Sequence, residues 1–159
     1  MLERLQSFFQ SITQDRPPAV FAPDDPRIAV AALCFQVMEA DGVVRDAERT
    51  KLRSILQEQY DLDETKLEAL IAAGQEAESE AVDYYRFTTD LKRHLDEPAR
   101  EQLIGILWDI VYADGNRSEM EDHAIWRVAD LLGVSSRGRV IQRQEAEARA
   151  GMGASDDAP

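Results

Sequence analysis

Cysteine is nearly absent from this chain. Cys34 stands alone among 159 residues, so no internal disulfide can form. With only His94 and His123 elsewhere, no Cys/His ligand cluster can be assembled either. Cys34 lies in the apolar run from Ile28 to Met38 and reads as a buried structural thiol rather than a reactive one. Basic residues are also scarce, 18 against 31 acidic, for a net charge of −13. A field of that sign repels nucleic acid and anionic lipid surfaces and favours cations or basic protein partners. Glycine and proline are few, and the 31% of charged residues beside 44% hydrophobic ones fits a helical soluble protein rather than a disordered one. There is no phosphate-cradling Gly-rich loop and no nucleophile with an adjacent base, so the chain is read as a non-enzyme. A transmembrane segment is lacking as well.

What is present begins with an apolar stripe at helical spacing, Leu2, Leu5, Phe8, Phe9 and Ile12, which predicts an N-terminal amphipathic helix over residues 1–14. It is no signal peptide, because Glu3 and Gln6 interrupt any apolar region and no small-residue cleavage site follows. A membrane-surface helix would want flanking cations, and Arg4 is countered by Glu3. Docking onto the domain or onto a protein partner is the better reading. Pro17, Pro18 and Pro23 mark a linker over 15–25. Asp25 followed by Pro26 then signals the start of a helix. A single all-α domain is expected over 26–149, long enough to bury roughly two-thirds of its unfolded surface, with a disordered tail over 150–159.

The centre of that domain is a short acidic pattern that occurs twice. Ala40-Asp41-Gly42, with Glu48 six residues past the glycine, is answered 73 positions later by Ala113-Asp114-Gly115 and Glu121. The apolar pattern repeats at the same offset, Leu33, Val37, Leu52 and Ile55 being matched by Ile106, Ile110, Ile125 and Val128. This predicts a duplicated helix-loop-helix, with units of about 26–62 and 98–135. Helices over 26–41 and 98–114, apolar almost all round, belong in the middle, and those over 46–59 and 119–132 pack across them. Further helices are expected from Asp63 to about Ala73, weakened or ended by Gly74; from Glu80 to His94; and from Ser136 to Arg149, the last held by Val140 and Ile141. The run Glu76, Glu78, Glu80 reads as a solvated loop or helix start. The total is a compact bundle of about seven to eight helices.

Asp41 and Asp114 stand where helices stop, next to a glycine suited to a left-handed turn. A carboxylate is disfavoured at that end of a helix unless N–H donors or a cation face it. Ser118 and Glu121 form a capping box. The first-copy counterpart of Ser118 is Arg45, which cannot cap, so capping alone does not explain both glutamates. The glycine-to-glutamate spacing invites comparison with an EF-hand, but the upstream ligand positions hold Val37 and Glu39 in one copy and Ile110 and Tyr112 in the other. Two readings stay open: local capping and turn roles, or a hard divalent cation shared by Asp41, Glu48, Asp114 and Glu121, calcium or magnesium suiting such oxygens better than zinc.

The doubled A-D-G-x5-E pattern in an all-helical chain resembles the TerB-like family, named for bacterial tellurite-resistance proteins. The resemblance spans roughly residues 26–145 and includes Leu131-Leu132-Gly133-Val134. It implies a compact all-α domain of bacterial stress response, with Asp41, Glu48, Asp114 and Glu121 as metal-binding positions; the lone buried thiol fits a cytoplasmic location. A metal-free protein interaction module is the alternative.

Overall fold

The computed structural model describes residues 21–81, 84–115 and 118–151, less the side chain of Asp114. The expected N-terminal helix over 1–14, most of the linker and the tail beyond Gly151 lie outside these residues. Among the described residues there are seven α-helices and no strand: α1 (Pro26–Met38), α2 (Asp46–Tyr60), α3 (Glu64–Glu80), α4 (Tyr85–His94), α5 (Glu97–Val111), α6 (Glu119–Leu132) and α7 (Ser136–Arg149). A 3-10 turn, Tyr112–Asp114, continues α5.

N-cap side-chain oxygens satisfy free N–H groups at five of the seven helix starts, all but those of α2 and α4. Asp25 accepts from the Arg27 N–H at 2.9 Å, Asp63 from Lys66 at 2.8 Å, Asp96 from Ala99 at 3.0 Å and Ser135 from Gly138 at 3.0 Å. Pro26 and Pro98 occupy first turns, where a missing N–H costs nothing. Leu62 and Leu67, either side of the Asp63 cap, are both buried as a hydrophobic staple requires.

The core forms around α1, which buries ten of its thirteen residues. Its broadest contact is with α3, followed by α4, while α5 packs against α7, α6 and α2. Cys34 is wholly enclosed and its thiol is pushed up to about 12 by burial, which leaves it unreactive. Trp108 is buried between α5 and the Arg143 guanidinium, 5.1 Å from its ring, whereas Trp126 is an edge residue, 37% exposed beneath Arg139.

Four expectations need correction. Gly74 does not end its helix: α3 runs through it to Glu80, and Glu76, Glu78 and Glu80 are helical. The glycine is there for proximity, since a Cβ at position 74 would stand 2.6 Å from the Cβ of Ala31. The next helix opens at Tyr85 rather than Glu80. The helices before the two acidic loops stop at Met38 and Val111, so Asp41 and Asp114 sit in the turns beyond them. Val140 and Ile141 are exposed, and α7 docks instead through Gly138 and Ala146, small residues that let helices approach.

Candidate functional site

The first acidic loop begins where α1 ends. The Gly42 N–H closes a turn onto the Glu39 carbonyl at 2.9 Å, and Gly42 adopts φ 80°, a conformation glycine enters without strain. Asp41 Oδ1 accepts the Val43 N–H at 3.0 Å, and its Oδ2 meets Arg45 Nη2 at 3.1 Å. Burial acts to raise Asp41, but the Val43 amide, the Arg45 guanidinium and the Ser118 hydroxyl outweigh it and hold the carboxyl below the usual range. Asp41 is thus matched by both kinds of partner that its position demands.

Arg45 precedes α2 and faces inward. Its Nη1 lies 3.4 Å from Glu48 Oε1 and also 3.4 Å from Glu121 Oε1. One guanidinium therefore joins Asp41, Glu48 and Glu121, tying the first loop to the start of α6. Glu48 also accepts from the Arg45 backbone N–H at 3.3 Å. That is half of a capping box, made without a capping side chain at Arg45. The expectation that capping leaves Glu48 unexplained is corrected to that extent.

The second loop shares this geometry. Gly115 has φ 79°. Glu121 Oε1 accepts from the Ser118 N–H and hydroxyl, each at 3.2 Å, while Ser118 Oγ accepts the Glu121 N–H at 3.0 Å. The outcome is two glutamates, almost fully enclosed at 0% and 1% exposure, whose capping oxygens are supplied with donors. The other oxygen of each, Glu48 Oε2 and Glu121 Oε2, is buried without a hydrogen-bond partner. Burial first, then the adjoining Glu121 carboxyl, push Glu48 up to about 8. At neutral pH the pair therefore carries a proton, because two carboxylates this close cannot both shed it cheaply.

Of the residues singled out from sequence, the structure brings Glu48 and Glu121 together and joins Asp41 to them through Arg45; the Asp114 side chain lies outside the described residues. No three of His, Cys, Asp and Glu are grouped to hold a metal ion among the described residues. The chemistry still suits a cation, because the two buried oxygens that share the pair's proton become hard, anionic ligands once it is released, and every capping bond is made without them. His123 is exposed on α6 and His94 turns its Nδ1 to the Asp90 carbonyl at 2.8 Å.

Sequence reasoning missed Arg45. Its signal was there, four residues after Asp41 and three before Glu48, both spacings that place charges side by side on a helical turn. A second missed group stands behind the other loop. The Tyr112 hydroxyl donates to Glu147 at 2.9 Å and accepts from Arg143 at 3.1 Å, and its ring stacks on Trp108 with centroids 5.6 Å apart. This fastens α7 to the 3-10 turn.

Residues 27–144 match the family described as tellurite resistance protein TerB. No curated protein sequence matches the chain. Among solved structures, a protein of unknown function from Porphyromonas gingivalis W83 has a similar fold, with a TM-score of 0.60 at 15% identity over 84% of this chain and 96% of that one.

Proposed function

The chain belongs to the tellurite resistance protein TerB family, and on that premise we propose that it is a non-enzymatic stress-response domain that takes up one hard divalent cation at the Glu48–Glu121 pair. The observation that carries the reading is the pair of buried oxygens, Glu48 Oε2 and Glu121 Oε2, that nothing but their shared proton serves. Asp41 and Asp114, the aspartates of the two loop sequences, are the carboxylates we assign to complete the set. Calcium or magnesium is the ion of choice for an all-carboxylate set. Bound, it supplies positive charge in place of the proton that Glu48 otherwise retains.

Arg45 favours a second reading. Its guanidinium already bridges three of the carboxylates, so the domain can be complete without metal and serve as an acidic interaction module in the cytoplasm. The two readings part in thermal melting at pH 7.5, with calcium or magnesium against chelator and sodium chloride matching the ionic strength. Free ion at 100 times its Kd should stabilise the fold by about 2.7 kcal/mol. Equal melting temperatures in all buffers would remove the cation. A shift that survives in Glu48→Gln/Glu121→Gln would place the ion elsewhere on this acidic surface.

A further inference from the structure

A groove lies where the C-terminal half of α2, remote from Glu48 at its start, crosses α5. Its apolar end holds about 160 Å³ and is lined by Val30, Ile55, Leu56, Leu95, Leu103 and Ile106. It shares Gln59, Gln102 and Ile106 with a second, more polar hollow of about 390 Å³ that continues toward α7 over Gly105. Joined in this way, the two make a trough that is apolar at one end and ringed by glutamine, Asp109 and Arg149 at the other. That is the shape and polarity an amphipathic helix fills, apolar stripe down and polar face out.

We propose that the chain's own N-terminal stripe, Leu2, Leu5, Phe8, Phe9 and Ile12, occupies this trough. Three observations select that occupant over a foreign one. Phe21, the first described residue, is buried, and Arg27 lies over both its ring at 4.5 Å and that of Tyr60 at 5.8 Å. Tyr60 is itself a wall of the apolar end. Phe21 therefore stands one side chain, Arg27, away from the wall of the groove. Between Ile12 and Phe21 lie only residues 13–20, with Pro17 and Pro18 among them. Even at about 3.1 Å per residue, the rise of an extended proline-rich chain, eight residues reach no more than about 25 Å, which limits how far from the groove the stripe can lie. Finally, the stripe needs an apolar cover, and its flanks lack the cations that a membrane surface would require. Tethering raises the local concentration of the stripe at the groove to a level no free partner matches without much tighter binding.

The test uses the full chain with a nitroxide on Gln10→Cys, Cys34 being too deeply enclosed to react. In 15N-labelled protein at low concentration, the amides of residues 55–60 and 99–106 should lose peak intensity relative to the reduced label. The loss should disappear when Leu5→Glu/Phe8→Glu is added. Undiminished peaks at those amides overturn the proposal, as does a loss that persists in the Leu5→Glu/Phe8→Glu chain. Broadening seen only when spin-labelled unenriched chain is mixed with unlabelled 15N chain assigns the groove to a second copy and also overturns it. Broadening that requires added anionic vesicles or a partner protein does the same.

Discussion

Glu48 shows how much of this protein turns on single atoms. Folding holds its proton up to about pH 8, against an ordinary value of 4.5. Between those values the native state binds more protons than the unfolded chain, so stability is fullest at the acid end and is lost as pH rises through 8. Glu78, raised to about 7 by burial and by the Glu39 carboxyl beside it, adds to the same trend. Chemical denaturation of the chelated protein should therefore give a stability that falls between pH 5.5 and 8.5, with Glu48 alone contributing at the steepest about 1.4 kcal/mol per pH unit. Glu48→Gln should flatten that fall and raise stability at pH 8 by about 1 kcal/mol, because its amide can still accept from the Arg45 N–H and can donate to the donorless Glu121 Oε2. Arg45→Ala should act in the other direction. It strips the shared cation from three carboxylates and should lower stability at pH 8 in chelator, and by less at pH 6, where Glu48 is protonated. If the cation reading holds, the same variant should show the larger melting shift with calcium.

At the scale of helices, contacts between small residues decide what propensity leaves open. Gly74 and Gly105 both lie inside helices, where alanine is ordinarily preferred by about 1 kcal/mol. A Cβ at 74 would strike the Cβ of Ala31, held in the central helix, while one at 105 would meet the tip of the Gln142 side chain, which can swing away. Gly74→Ala should therefore destabilise by about 1–3 kcal/mol and Gly105→Ala should be neutral or mildly stabilising, as measured by urea unfolding. This is also where the sequence was hardest to read. The starts at Asp25, Asp63, Asp96 and Ser118 were legible because a cap is a local event within four residues. Gly74 read as a breaker because its reason for being glycine lies 43 positions away at Ala31. Likewise Val140 and Ile141 looked like the contacts of α7, while the contacts in fact run through Gly138 and Ala146 and the Tyr112 hydroxyl, which no period in the sequence reveals. Tyr112→Phe should cost about 1 kcal/mol and speed amide exchange in α7 before the rest of the bundle.

For the molecule as a whole, the all-α architecture followed from composition and helical periodicity, and residues 27–144 match the TerB family. Within the candidate site, the meeting of Glu48 with Glu121 was legible only as a symmetry argument, since they stand 73 positions apart and neither predicts its partner locally. Arg45 was not legible as the residue joining them, because its role depends on the fold having brought the start of α6 to the start of α2. The surrounding net charge of −13 also matters to any test. It draws divalent ions to the whole surface, so a melting shift alone must be held against matched salt. Proton release is more direct. An ion that enters between Glu48 and Glu121 must displace the proton held there, whereas one condensed on the surface displaces none. Calcium or magnesium titrated into weakly buffered protein at pH 7 should release about one proton per ion bound, declining to none above about pH 9.5 and absent in Glu48→Gln. Binding without proton release at pH 7, or no binding at all, would contradict the account.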